Sequence, residues 1–143
     1  MRVIVSRREV AKMRHRMLQA YPLEKIEYIW GKVNRRGDAH IYVFDQVIQD
    51  IMTKDECRAD GDDTAASFQS AKEAGLVVLG TVHSHPDCDT TVPSEHDFTE
   101  GADHGEVVSG ICAVFKTKGR LRTRLGWWFP AANLQMVLTE RKR

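Results

Sequence analysis

The first twenty residues show two kinds of hydrophobic spacing. Residues 2–5 include a short apolar run, Val-Ile-Val, which predicts a strand. Ser6 follows with Glu9 three positions later, and this pairing is typical of a helix N-terminus in which each side chain caps a backbone N–H. The next apolar residues recur at i, i+3, i+7 and i+8, which predicts a helix with one apolar stripe: Val10, Met13, Met17 and Leu18.

Two longer stretches, 25–33 and 40–48, are rich in aromatic and β-branched residues, which favour strands. The sequence Asn-Arg-Arg-Gly-Asp between them supplies turn residues, so the pair predicts a β-hairpin. Residues 50–63 are strongly acidic without a regular apolar period, and we interpret them as an irregular segment. Two roles stay open for this segment, a solvated loop or a docking surface for a basic partner.

The middle of the chain contains its most apolar run. A helix is predicted over roughly 63–74, ending at Gly75. Residues 76–82 are almost continuously apolar, which is typical of a buried central strand. Ser94 with Asp97 three positions later then predicts the start of another helix.

The last third of the chain predicts a second hairpin. Residues 107–115 and 120–129 are both typical of strands, and Lys118 and Gly119 between them form the expected turn. The tail, 132–143, is ambiguous because it alternates like a strand but has a composition that also suits a helix. Together these elements predict a single α/β (α+β) domain over residues 1–143, with a largely antiparallel sheet flanked by about three helices.

Composition narrows the range of functions. Of 143 residues, 42% are hydrophobic, which is enough to bury a core, and the net charge of +1 gives no strong field for nucleic acid or a membrane. No apolar stretch is long enough to span a bilayer, and the N-terminus lacks the apolar region of a signal peptide. Three widely spaced cysteines suggest no disulfide framework. We therefore expect a cytoplasmic protein without membrane contact.

Candidate metal ligands follow the buried strand. His83 and His85 lie two residues apart, so on an extended chain both imidazoles point to one side and can bind the same ion. Asp97, in the first turn of the helix that Ser94 begins, is the natural third ligand. Two histidines and one carboxylate with a fourth position open to water form a catalytic zinc pattern. Zinc lowers the pKa of bound water from about 15.7 to about 7, but a carboxylate must still carry the proton, and spacing does not identify that carboxylate.

The segment His-Ser-His-Pro followed by Pro-Ser-Glu-His-Asp closely resembles the signature of the JAMM (MPN+/Mov34) metallopeptidases. That signature is His-x-His-Pro, then Ser-x-x-Asp. The resemblance implies one catalytic Zn²⁺ held by His83, His85 and Asp97, with Ser94 helping to stabilise the oxyanion. It also implies a single MPN-like domain, a curved sheet with cytidine-deaminase-like layering, of the compact stand-alone type found in prokaryotes or viruses.

The family's catalytic glutamate usually lies in a segment like Pro-x-Glu-x-x-Gly-x-x-x-Gly. Residues 22–31 of this chain match it at Pro22, Glu24 and Gly31, with Glu27 at the place of the first glycine. The resemblance therefore implies that Glu24 is the general base and acid, and Glu27 is the alternative.

The loop between the histidines and the serine departs from the family pattern. Eight residues separate His85 from Ser94, whereas the family usually has seven. We expect the extra residue to bulge within 87–91, which leaves room for Cys88 or Asp89 to approach the metal.

The resemblance implies a zinc isopeptidase or peptidase that cleaves after the C-terminal glycine of a ubiquitin-like or sulfur-carrier protein. Two alternatives stay open: a non-catalytic MPN-type protein-binding module and a DNA-associated protein of the JAB type. Basic residues near the second hairpin share sequence parity, which favours one solvated strand face, and without interleaved aromatic residues we expect no nucleic-acid contact. These residues are Lys116, Lys118, Arg120, Arg122 and Arg124.

Overall fold

The computed structural model describes residues 2–130, 134–136 and 138–141. These residues include three helices: α1 (Arg7–Ala20), α2 (Gly61–Glu73) and α3 (Glu95–Asp103). The first strands are β1 (Val3–Ser6), β2 (Ile26–Val33), β3 (Ala39–Gln46), β4 (Gln49–Met52) and β5 (Cys57–Ala59). The later strands are β6 (Val77–Pro86), β7 (Ser109–Thr117), β8 (Arg120–Phe129), β9 (Leu134–Met136) and β10 (Leu138–Arg141).

The predicted helix after the first strand is confirmed as α1. The Ser6 hydroxyl accepts a hydrogen bond from the backbone N–H of Glu9 at 3.1 Å, as the capping pattern predicts. Val10, Met13 and Met17 are buried on the side of the helix that packs against the sheet. Within the described part of the chain, no helix is both long and apolar enough to cross a membrane.

Both predicted hairpins are confirmed. Strands β2 and β3 pair antiparallel, and Gly37 adopts a φ of 81° in their turn. Strands β7 and β8 also pair antiparallel, and they reverse at Lys118 and Gly119, whose φ values are 52° and 76°. Positive φ at both central residues is the backbone geometry that matches the twist of a two-residue hairpin.

The interpretation of residues 50–63 as an irregular segment is wrong. Strands β4 and β5 form a small antiparallel sheet there, and Arg58 pairs with Asp50 across it at 3.0 Å. Helix α2 begins at Gly61, because the Asp60 side chain caps it by accepting a hydrogen bond from the backbone N–H of Asp63 at 3.1 Å. Polar contacts, rather than an apolar period, organise this segment, so hydrophobic spacing does not reveal it.

The prediction that the basic residues of the second hairpin share one face is also wrong. The two-residue turn reverses the parity, so that Lys116 pairs with Leu121 while Phe115 pairs with Arg122. The Lys116 ammonium lies 5.7 Å from the ring centroid of Tyr21, at the end of α1. The side chains of Arg120, Arg122 and Arg124 point to the opposite face of the sheet.

The described strands form an eight-stranded mixed sheet in the order β10-β1-β3-β2-β6-β7-β8-β9. Strand β9 pairs with β8 and β10 pairs with β1, although the two lie next to each other in the chain. The sheet is therefore curved and nearly closed, and the α+β prediction is confirmed. The sequence left the tail open between strand and helix, and its described parts, 134–136 and 138–141, are strands. Strand β6 lies between β2 and β7, so the residues at its end are held from both sides.

Candidate metal centre

The two histidines stand at the end of β6 on one face of the sheet. Their ring nitrogens face each other, with Nε2 of His83 2.8 Å from Nε2 of His85. The His83 side chain is 13% exposed and that of His85 is 20% exposed, so both can be reached from solvent. The alternation of a strand thus brings together the two imidazoles that sequence spacing paired.

Helix α3 brings Asp97 to the histidines. The Ser94 hydroxyl accepts from the Asp97 N–H at 3.1 Å, and the Asp97 carboxylate accepts from the Ser94 N–H at 2.9 Å. This reciprocal capping fixes the first turn. The Asp97 carboxylate oxygens lie 3.3 Å from Nε2 of His83 and 3.4 Å from Nε2 of His85. Burial acts to raise the pKa of Asp97, but hydrogen bonds from both histidines outweigh it and hold the pKa well below its usual range.

Glu24 reaches the same place from the segment between α1 and β2. Its carboxylate oxygen and the ring nitrogens of His83 and His85 all lie within 4.8 Å of one another. The backbone of Glu24 is held on both sides, since its N–H donates to the Thr53 carbonyl at 2.7 Å and its carbonyl accepts from Nε2 of Gln49 at 3.3 Å. Glu24 is 8% exposed, and burial raises its pKa although the histidines act in the opposite direction.

Ser84, between the two histidines, joins the Glu24 segment to β6. Its hydroxyl accepts from the Lys25 N–H at 2.9 Å, and its own N–H donates to the Lys25 carbonyl at 2.9 Å. Ser84 is 1% exposed, so these hydrogen bonds are protected from water. Sequence reasoning missed Ser84, Gln49 and Thr53. A polar residue at an inward-facing strand position was the available signal for Ser84.

Glu27, the alternative base, lies elsewhere. Its carboxylate accepts two hydrogen bonds from the Arg16 guanidinium, at 2.7 Å and 2.8 Å, and its side chain is fully buried. Because Arg16 belongs to α1, this bidentate pair links that helix to β2. Glu27 is thus engaged in a structural ion pair away from the histidines.

The loop after the histidines contains the extra residue. Asp87 adopts a positive φ of 58°, and its N–H donates to the Val114 carbonyl at 2.7 Å, which ties the loop to β7. Cys88 contacts Thr90 rather than the histidines, with its sulfur 3.5 Å from the Thr90 carbonyl oxygen. The extra residue left room for Cys88 or Asp89 to approach the metal, but neither belongs to the cluster of Glu24, His83 and His85 in the described residues.

The donor set fits a zinc ion. Ligands at about 2.0–2.1 Å from a tetrahedral Zn²⁺ lie about 3.3 Å from one another. The separations of 3.3 Å and 3.4 Å between the Asp97 oxygens and the histidine nitrogens match that spacing, and the nitrogens themselves are closer, at 2.8 Å. Two imidazoles with carboxylates from separate elements are ligands that zinc accepts, so these residues are a candidate metal centre in a mixed α+β fold.

Comparison with known families agrees with this fold and donor set. Residues 6–126 match Prok-JAB, the prokaryotic homologs of the JAB domain. The match spans most of the chain and includes all the residues of the candidate centre. The protein therefore belongs to the Prok-JAB family.

Solved structures show the same fold. A protein from Desulfitobacterium hafniense is 15% identical, with a TM-score of 0.70 over 98% of this chain and 94% of its own. A protein from Salinibacter ruber is 25% identical, with a TM-score of 0.69 over 99% and 92%. A JAB1/MPN domain protein from Archaeoglobus fulgidus is 16% identical, with a TM-score of 0.57 over 99% and 97%. No curated protein matches the chain.

Proposed function

We propose that this protein is a zinc-dependent isopeptidase or peptidase. Its substrate would be a ubiquitin-like or sulfur-carrier protein, cleaved after the C-terminal glycine. The observation that carries the proposal is the convergence of Glu24 with His83 and His85 in a member of the Prok-JAB family. Protein binding alone does not depend on a set of metal ligands. The partly buried histidine pair facing two carboxylates therefore favours an enzyme over a scaffold or binding module.

Each residue has a role that its surroundings support. His83, His85 and Asp97 would hold the ion, and bound zinc supplies an acidic water and a Lewis acid for the scissile carbonyl. Glu24 would take the proton from the attacking water and pass it to the leaving amine. Burial raises the pKa of Glu24 toward neutral pH. A carboxyl group with such a pKa can both accept the proton from water and donate it to the amine.

Ser94 would assist at the developing oxyanion. Its hydroxyl oxygen accepts from the Asp97 N–H, which leaves the hydroxyl proton free to donate. A donor aimed at the charge that forms in the transition state lowers the barrier.

The surroundings of Glu24 suit an extended substrate tail. Leu23 and Met52 precede Glu24 and Thr53 in the chain, and each is 37% exposed. A glycine-terminated tail is narrow enough to bring its last carbonyl between such side chains and to approach backbone closely.

The test is cleavage of a panel of ubiquitin-like and sulfur-carrier proteins that carry C-terminal extensions. The zinc-loaded protein should release the extension after the terminal glycine, and Glu24→Gln should abolish release while zinc content is unchanged. Glu56→Gln, a change at an exposed carboxylate near the site, is the matched control and should cleave normally. Full cleavage by the Glu24→Gln protein would contradict the role of Glu24. Bound zinc without cleavage of any member would favour a binding module.

A further inference from the structure

A groove runs between α1 and the edge of β8, and none of the described residues that line it belongs to the candidate metal centre. It consists of two cavities of about 560 Å³ and 360 Å³ that share Leu18 and Thr123 in their walls. Leu121 adds apolar surface from β8 and Val10 adds it from α1. The groove is therefore partly apolar.

One wall of this groove is an unpaired strand edge. Strand β7 pairs with β8 along its whole length up to Trp128, but β9 pairs only with residues 127–129 of β8. In the described part of the chain, residues 120–126 of β8 therefore have no strand on their outer side. Their outward N–H and C=O groups can accept an added strand, which is how many domains bind extended peptides.

The groove is also basic. Arg122 and Arg124 line one cavity from the face of β8 opposite α1, Arg14 lines the other, and no carboxylate among residues 2–130 pairs with Arg122 or Arg124. The Arg124 guanidinium lies 5.3 Å from the centroid of the Phe115 ring, which leaves its charge without an anionic partner in the described structure. The Nε atom of Arg14 is buried and has no hydrogen-bond partner in the described structure.

We propose that this groove binds an extended acidic segment of a partner protein. The segment adds to β8 as an outer strand, and its carboxylates, on alternate residues, pair with Arg122 and Arg124. The intervening side chains point to the α1 side of the sheet and lie against Leu18 and Leu121. The charge of the groove selects the acidic chemistry, and the free backbone edge selects a peptide over other polyanions.

The position of the groove gives such a partner access to the metal centre. His85 pairs with Ala113, and Ala113 pairs with Arg124, so Arg124 lies two strands away on the histidine face. Two strand spacings amount to roughly 10 Å. A protein held at the edge of β8 thus lies beside the candidate centre, but its binding does not depend on the metal or on hydrolysis.

Fluorescence anisotropy with the full chain tests the proposal. The probe is a short labelled peptide that alternates glutamate with valine, and it should bind saturably with or without a chelator. The double variant Arg122→Glu, Arg124→Glu should bind it at least about tenfold more weakly, because two charge-assisted contacts become repulsive. Arg35→Glu with Arg36→Glu, the same charge change in the exposed β2–β3 turn, is the matched control and should bind normally.

Two further probes separate strand addition from simple charge attraction. The same peptide with alternate backbone nitrogens methylated keeps its charge but loses the donors that pair with β8, so it should bind at least about tenfold more weakly. Equal affinity for the methylated peptide, or for a single-stranded oligonucleotide of the same charge, would overturn the proposal. So would an equal loss of binding in the control variant or the absence of saturable binding.

Discussion

At the scale of single residues, Ser84 is the least conspicuous part of the candidate centre. It offers no ligand atom, yet its hydroxyl accepts from the Lys25 N–H and so keeps Glu24 beside the histidines. Register and buried hydrogen bonds, rather than the metal ligands, thus decide where the proposed base stands. This makes Ser84 a positioning residue whose loss should separate metal binding from catalysis.

We expect Ser84→Ala to lower kcat while zinc affinity changes little. The variant leaves the partly buried Lys25 N–H without its acceptor, which costs up to about 1–3 kcal/mol and weakens the attachment of the Glu24 segment to β6. Cleavage kinetics and zinc titration on the same preparations measure the two effects. Ser84→Thr keeps the hydroxyl and should recover most of the activity. An unchanged kcat in Ser84→Ala would show that Glu24 is held without this hydrogen bond.

The sequence predicts the residues of the centre unequally. His83 with His85, and Ser94 with Asp97, lie close together in the chain, and strand alternation and helix capping are local rules that the structure obeys. Glu24 comes near them only through the pairing of β2 with β6, a long-range register that no local pattern specifies. Its assignment therefore depended on family resemblance.

At the scale of elements, the bidentate pair between Arg16 and Glu27 joins α1 to β2. The Glu27 carboxylate is fully buried and Arg16 is its cationic partner. Removing either residue leaves the other charge unpaired and lowers the free energy of unfolding. Glu27 stands where the family resemblance expected a glycine, so this chain has a buried ion pair at a position where the family usually has no side chain.

Glu27→Ala should lower the free energy of unfolding by about 3–5 kcal/mol, because it leaves the partly buried Arg16 without its partner. Replacing both residues, as Arg16→Met with Glu27→Leu, should recover most of that loss since no charge stays buried. Denaturant unfolding measures both. Lys12→Ala removes a surface pair with Glu9 and should change stability by less than about 0.5 kcal/mol. A Glu27→Ala protein as stable as Lys12→Ala would contradict this account.

Hydrophobic spacing predicts elements well where packing against the core decides them. It located α1, both hairpins and β6 because each has an apolar face that must be buried. It missed β4 and β5, where the Arg58–Asp50 pair and polar caps stabilise the chain, and it misassigned the basic residues because the turn at Lys118 reverses parity.

At the scale of the whole molecule, the order of the strands in the sheet could not be predicted from the sequence. The parallel pairing of β1 with β3 and β10 brings both ends of the chain into one sheet. Such contacts between distant segments depend on how the whole core packs, and short-range patterns carry no information on them. The sheet in turn fixes β6 between β2 and β7, and so fixes the end of that strand where the candidate centre lies.

A metal at this centre would connect two parts of the fold that the loop 87–93 joins in the chain. His83 and His85 belong to β6 and Asp97 belongs to α3, so a bound ion links the sheet to that helix. Binding to the folded state alone stabilises it by about 2.7 kcal/mol at a zinc concentration a hundredfold above Kd. For a chain of this length we expect zinc to raise the melting temperature by roughly 10 °C over the chelated protein.

Asp97→Asn provides the sharpest control for this shift. Its amide oxygen can still accept from the Ser94 N–H, so the helix cap survives, but the ligand charge is lost. In chelator its melting temperature should lie close to that of the parent, whereas the increase with zinc should be much smaller. Asp103→Asn, an exposed change at the other end of α3, should retain the full increase. Asp97→Asn thus removes the ligand charge but keeps the cap. An equal increase in melting temperature with zinc in the parent, Asp97→Asn and Asp103→Asn proteins would exclude Asp97 as a ligand. Glu24 would then be the carboxylate that binds the ion with the histidines.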